Sequence, residues 1–425
     1  MPRTKVFYFI PNLQQGGPEG QILELINRLP QRFEAVLCVY HGDNVFWGNR
    51  CPPGQPAHDL GVRSMNMAAL DRLTDILRRE KPAIVHSYRD KANFWARWAA
   101  SRAGVPITIT GCRNRMMGLR YLATEWFLQR KSKVILANSI GVKQELVRWA
   151  RVRDDKVRVI YNLLDVDFFR PPTAAERADA RTRWQLAPGT RALLLPGRIG
   201  IQKHQLGLLA AMRTLARRGK WPQDAVVLFA GRARDKLTSA LVRRFARSPG
   251  LASAVRFLDA VKDIRSLYWA SDLLVMPSLY EGLANAALEG CAAGLPAILS
   301  HAANVDAIVQ PGATGWEVPT LRHAPLVEAL EAARTARFTK EEWDAYIASG
   351  MAIQNERGAL SLARKEGLAE GRAEGKLLGL RLGVEAVCAA LRIELGPERR
   401  VHLESLDAAG CEALLAHLQR ARTWP

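Results

Sequence analysis

The sequence predicts an α/β protein: two successive parallel-sheet domains facing across a cleft, then an α-helical tail. Three observations predict it. Short apolar or β-branched runs alternate with helical patterns through residues 6–162, and again through 192–318, as in parallel sheets covered by helices. Between the two series, Asp165–Ala187 carries Pro171-Pro172 and an Ala, Arg and Glu run, the mark of a domain boundary with a short helix. After Arg334 the alternation stops and the charge balances: Thr335–Pro425 holds 13 basic and 13 acidic residues, so the whole formal excess of +20 precedes it. The expected domains are 1–165, 166–334 and 335–425.

At 425 residues the chain can bury two or three cores. No run of about 18 apolar residues predicts a membrane span, and Met1–Gly17 reads as a first strand rather than a leader. The six cysteines show no C-x-x-C spacing and read as reduced thiols. The basic excess fits solvated arginine-rich faces, or an anionic membrane or substrate; nucleic acid is disfavoured as a partner.

Strands are expected at Val6–Ile10, Ala35–Tyr40, Ala83–Tyr88, Ile107–Gly111, Val134–Ser139 and Val157–Asn162, with helices such as Gly20–Leu29, Ala68–Glu80 and Lys91–Ala103 between them. Ligands of such sheets bind at the carboxyl ends of strands. The first strand ends in Gly16-Gly17-Pro18-Glu19 before a helix, where bare backbone and a helix N-terminus favour a phosphate. The third ends in His86-Ser87-Tyr88, which makes His86 either a structural residue or a substrate contact. Thr110–Lys133 interleaves Arg113, Arg115, Arg120, Arg130, Lys131 and Lys133 with apolar residues, and reads as a core-facing helix or as a segment lying on an anionic bilayer.

The second series has strands at Ala192–Pro196, Ala225–Ala230, Val255–Leu258, Leu273–Pro277, Ala297–Ser300 and Trp316–Val318. After its first strand, Arg198 and Lys203 flank a glycine-containing turn; a planar fork with a point charge suits a diphosphate. In Leu274–Gly294 an apolar strand breaks at Ser278, exposes Glu281-Gly282, and resumes as a helix carrying Glu289. Two carboxylates at a strand–loop–helix junction belong to a ligand site.

In this order and spacing the motifs resemble the family 4 retaining glycosyltransferases, over Lys5 to Arg334. The resemblance rests on Gly16–Glu19, His86, Asn138-Ser139, Val159–Phe169, Gly197-Arg198 with Lys203, Glu281 with Glu289, Gly294-Leu295-Pro296 and Gly312–Trp316. It implies the GT-B fold, two facing Rossmann-like domains, with a UDP- or GDP-linked sugar donor and no required metal or other cofactor. Arg198 and Lys203 would hold the diphosphate, Glu289 the ribose, and Glu281 the donor sugar. The backbone of Gly282, Leu283, Gly16 and Gly17 would face phosphate or sugar oxygens, and His86 is the catalytic-side histidine. The acceptor would be lipid-linked or polysaccharide, at the cytoplasmic face of the membrane. The sequence departs from the pattern at Tyr88, Leu163, Gly20 and Asp306.

The tail is different. Gly367, Gly371, Gly375, Gly379 and Gly383 recur every four residues, a stripe that on a helix would permit self-association. The tail resembles the C-terminal region of recombination-promoting nuclease and transposase-like proteins of the PD-(D/E)XK class, without their catalytic core. A non-catalytic fusion whose helical tail mediates self-association or DNA-linked interactions is therefore the alternative expectation.

Overall fold

The structure is a computed structural model that describes residues 3–13, 16–41, 54–115, 118–335, 380–388, 391 and 393–425. It separates into two compact units, Met1–Ile347 and Ala348–Pro425. The first four glycines of the four-residue repeat lie outside the described residues.

The first unit contains two parallel sheets. One is built from β1 (Thr4–Ile10), β2 (Phe33–Val39), β3 (Ala57–Asp59), β4 (Ile84–Tyr88), β5 (Ile107–Cys112), β6 (Val134–Ala137) and β7 (Val157–Val159). Its order is β3-β2-β1-β4-β5-β6-β7. Helices α1 (Gly17–Asn27), α2 (Met67–Glu80), α3 (Asp90–Ala103), α4 (Leu119–Leu128) and α5 (Ile140–Arg148) connect the strands. After α6 (Ala174–Arg183), the second sheet takes β8 (Arg191–Pro196), β9 (Ala225–Ala230), β10 (Val255–Phe257), β11 (Leu273–Met276), β12 (Ala297–Ser300) and β13 (Gly315–Val318). Its order, β10-β9-β8-β11-β12-β13, repeats that of the first without the added edge strand. Its helices are α7 (Gln205–Arg217), α8 (Lys236–Ala246), α9 (Ile264–Ala270), α10 (Asn285–Ala292) and α11 (His323–Thr335).

The central strands are nearly continuous apolar runs because helices cover both faces: all of Ala225–Ala230 is buried, as is Ala192–Pro196. Each buried Leu, Val or Phe stabilises by roughly 1.5–3 kcal/mol. Local chemistry sets the helix starts. Asn66 accepts from the Ala69 N–H, Asp235 from Thr238, and Thr173 with Glu176 closes a capping box before α6. In both sheets the strand order reverses beside the first strand, between β1 and β4 and between β8 and β11. Crevices at such reversals are where open α/β sheets bind ligands.

Thr110–Lys133 is not one helix. It finishes β5, turns through Arg113–Arg115, and forms α4 followed by a short 3-10 turn, Gln129–Lys131. The inward side of α4 is held by Glu125, whose carboxylate pairs with Arg97 at 2.5 Å, both side chains fully buried. Arg97 also donates to Ser132 and Thr110. The outward side leaves Leu119, Trp126 and Phe127 at 85%, 57% and 70% exposure. Of the six basic residues, Arg113 turns into the cleft, Arg115 pairs with Glu145, and Lys131 lies over the Trp98 ring.

In the second unit residues 380–388, Pro397–Ser405 and Ala408–Ala421 are helical and close a small core of Val384, Cys388, Leu403, Cys411, Leu414 and Leu418. Among the described residues no helix is long and apolar enough to cross a membrane.

Candidate active site

A cavity of about 760 Å³ lies between the carboxyl edges of the two sheets in the first unit. Gly16, Gly17, Arg198, Lys203, Glu281, Gly282, Leu283 and Glu289 all line it. The structure thus brings together every residue singled out in the sequence except His86.

The Gly16-Gly17 loop leaves β1 and enters α1, whose N-cap is Gly16 in extended conformation with no side-chain cap. Pro18 carries no N–H and the Gly20 N–H is taken by the Gly16 carbonyl, so the donor this turn offers a ligand is the Gly17 N–H. Glu19 lies beneath, 1% exposed, with its carboxylate 2.7 Å from Arg89 Nη2. Burial raises its pKa, and the Arg89 charge opposes the rise. A side chain at Gly17 would come 3.0 Å from Asn285 Nδ2, so this loop passes close to the start of α10.

On the opposite wall, β8 ends at Gly197, whose φ of +135° lies outside the range L side chains favour. Lys203 folds across the bare Cα, with Cε 2.6 Å from where a Cβ would stand. It then pairs with Glu281 Oε1 at 2.7 Å. Gln202 ties the same two loops: its carbonyl accepts from the Leu279 N–H at 2.8 Å, and its amide donates to the Tyr280 carbonyl at 3.1 Å. Arg198 is exposed and has no side-chain hydrogen bond or ion pair among the described residues. Enclosure by the cleft, then repulsion from Arg234 and Arg89, lowers its pKa. Such a cluster of cations is relieved by an anion between them.

Glu289 sits in the second turn of α10, where Tyr268 donates its hydroxyl to Oε2 at 2.9 Å. Burial and this carboxylate raise the Tyr268 pKa well above its usual value, so the phenol stays a donor. The carboxylate keeps lone pairs for a second donor.

His86 is placed differently. It lies inside β4, in register with Tyr8 on one side and Ile109 on the other. The rings of Tyr8 and Tyr88 pack at 5.5 and 4.5 Å from it. It is not among the residues lining the cavity. Burial, with the nearby Arg113 charge, pushes its pKa down to about 3, which makes it neutral at working pH.

Other cavity residues have no role assigned by the sequence, although Asn138 and Asn162 fall within segments that carry the family resemblance. Arg113, Asn138 and Asn162 come from the ends of three different strands, and Arg234 from the loop after β9. Arg113 donates through Nη1 to Asn162 Oδ1, and Asn162 donates in turn to Asn285 Oδ1 across the cleft. The Ile140 N–H at the start of α5 donates to Asp306 Oδ2 of the second domain at 2.7 Å. Asn138 and Asn162 fall in segments already quoted for the resemblance; for Arg113 the one signal is position, immediately after the carboxyl end of β5.

Residues 15–168 match the family profile described as Glycosyltransferase Family 4, and residues 190–335 the one described as Glycosyl transferases group 1. These matches support a family 4 type glycosyltransferase. The two glycosyltransferase segments meet at the cavity and end where the tail begins. The chain is 27% identical over 245 residues to the UDP-Gal:alpha-D-GlcNAc-diphosphoundecaprenol alpha-1,3-galactosyltransferase of Escherichia coli, covering 56% of this chain and 62% of that protein. It is 29% identical over 256 residues to a D-inositol 3-phosphate glycosyltransferase of Streptomyces scabiei, covering 55% and 56% of the two. The match thus spans less than two thirds of either relative. In fold the chain matches Anabaena HepE, crystallised with UDP and glucose, at TM-score 0.71 and 17% identity, over 87% of this chain and 100% of that one. It also matches WaaG, a glycosyltransferase involved in lipopolysaccharide biosynthesis, at TM-score 0.64 and 14% identity, over 81% and 94%. The two Rossmann-like domains are therefore a GT-B fold. Among the described residues, no group of three His, Cys, Asp or Glu side chains is arranged to hold a metal ion.

Proposed function

We propose that the protein is a retaining glycosyltransferase that moves a hexosyl unit from a UDP- or GDP-linked donor to a lipid-linked or polysaccharide acceptor in cell-surface glycan synthesis. The observation that carries this reading is the gathering of Arg198, Arg234 and Lys203 around one turn, opposite the uncapped start of α1. In this reading the acceptor hydroxyl attacks the anomeric carbon from the face the leaving group departs. The carbon–oxygen bond to the diphosphate breaks through an oxocarbenium-like state, and the hydroxyl proton passes to the departing phosphate. Arg198 and Lys203 stabilise the charge that develops there, without a metal in that role. Glu281 orients the donor sugar, with the Gly282 and Leu283 N–H groups beside it. Glu289 accepts from the ribose hydroxyls. His86 contributes as a neutral ring behind the wall. The lipid-linked acceptor of the Escherichia coli relative and the UDP bound by HepE support the choice of substrates.

Titration with UDP- and GDP-sugars tests the donor site; no binding at millimolar concentration overturns it. With a bound nucleotide in hand, Glu289→Ala is expected to weaken nucleotide affinity about 10–100-fold, the size of one or two charge-assisted hydrogen bonds. The fold should persist with a melting temperature lower by a few degrees, because the buried Tyr268 hydroxyl loses its acceptor. Unchanged affinity would remove the ribose role.

We further assign the outward side of α4 to an anionic bilayer at the inner face of the cytoplasmic membrane. Exposed Leu119, Trp126 and Phe127 would enter the interface, with exposed Arg120 and Arg130 at the headgroups. Binding to vesicles containing phosphatidylglycerol should fall with salt, and fall again in Trp126→Ala/Phe127→Ala. Indifference to both would refute the assignment.

A further inference from the structure

Among the described residues lining the cavity, Arg113 is the only cation that the first domain contributes. It follows β5, at the carboxyl edge of the sheet. Its guanidinium stacks 4.7 Å from the centre of the Tyr88 ring, which fixes the plane of the fork. Nη1 is taken by Asn162, while Nε is buried without a hydrogen-bond partner. No carboxylate among the described residues lies within ion-pair distance. The acids of the same cavity are engaged elsewhere: Glu281 with Lys203, Glu24 and Asp165 with Arg28, and Glu289 with Tyr268. The amides around it, Asn114, Asn138 and Asn162, carry no charge. An enclosed guanidinium without a counter-charge is costly unless a ligand supplies one.

Position narrows the ligand. The carbonyl of Arg113 abuts Gly282, the residue after Glu281, so Arg113 faces the part of the cavity assigned to the transferred sugar and its acceptor. The donor diphosphate is already matched by Arg198 and Lys203 on the other wall.

We propose that Arg113 recognises a second oxyanion on the substrates, beyond the donor diphosphate: a carboxylate on the transferred sugar or a phosphate on the acceptor. This rests on the glycosyltransferase reading. Bidentate guanidinium recognition distinguishes a planar fork from a lysine, and the expected discrimination is about tenfold, the size of one charge-assisted hydrogen bond.

The test uses the full chain and two matched pairs of probes. One pair is UDP-glucuronic acid against UDP-glucose. The other, with UDP present, is a short-prenyl diphosphate-linked GlcNAc against octyl GlcNAc. The wild type should prefer the charged member of one pair by about tenfold, and the pair that discriminates names the source of the oxyanion. Arg113→Met should abolish the preference and Arg113→Lys should reduce it, while UDP affinity in both stays at the wild-type value. That unchanged affinity also shows that the variants are folded. The proposal is overturned if the wild type prefers neither charged probe, or if Arg113→Met keeps the preference. If the wild type binds no UDP or GDP at all, the donor-site reading fails first and this inference falls with it.

Discussion

Replacing Gly282 with alanine is expected to lower turnover about a hundredfold or more, with each domain still folded. A Cβ at this position would run into the carbonyl oxygen of Arg113 and come 3.1 Å from Asn138 Oδ1. The obstacle is space rather than backbone strain, since Gly282 does not occupy the left-handed region. Both obstructing atoms belong to the first domain and Gly282 to the second. The methyl group therefore holds the walls apart at the point where donor sugar and acceptor hydroxyl would meet. A displacement near 1 Å at a reacting centre costs on the order of 10²-fold. The measurement is release of nucleoside diphosphate from a sugar-nucleotide panel, with UDP affinity and melting temperature as controls. Wild-type turnover in Gly282→Ala would mean that the two walls do not close on this loop during reaction.

Loss of the Arg198 guanidinium should be comparably severe. Arg198→Ala is expected to lower kcat about 10²–10³-fold, the range found when one preorganised donor to a developing charge is removed. Arg198 can act in this way because no neighbour among the described residues consumes its donors. Lys203 makes a contrast, since its ammonium is already committed to Glu281. Lys203→Ala would also strand a carboxylate that is 7% exposed, and so should disturb sugar position together with charge. A kcat loss in Arg198→Ala with KM nearly unchanged would support transition-state stabilisation. A rise in KM alone would reduce Arg198 to ground-state binding.

Much of the fold was legible because a strand buried on both faces must be an apolar run. Ala225–Ala230 and Ala297–Ser300 lie where their patterns end. The strand Ala57–Asp59 could not be seen: Ala-His-Asp is neither apolar nor alternating, and it pairs only at the sheet edge beside β2. In the site, the second-domain wall was readable because its chemistry is compressed into two short stretches, residues 197–203 and 281–289. Of the first-domain wall only the Gly16-Gly17 loop was assigned a role, because Arg113, Asn138 and Asn162 are brought together only by the parallel pairing of β5, β6 and β7. Arg113 in particular was hidden in a basic run that suggested a membrane surface. His86 was placed near the end of a strand whose limit, Tyr88, is the one observed, yet its ring falls between the tyrosines Tyr8 and Tyr88 of the core and not in the cavity.

The dry Arg97–Glu125 pair has a mechanical consequence for α4. To turn Trp126 and Phe127 inward, the helix would have to rotate Glu125 out of its pocket and abandon Arg97, at a cost of about 3–5 kcal/mol. The aromatic side of α4 is therefore locked outward, whatever solvent meets it. The same arginine grips Thr110 of β5, three residues before Arg113. A load applied to the outer side of α4 would be transmitted along this rigid linkage to the strand that presents Arg113, making helix and strand a single lever.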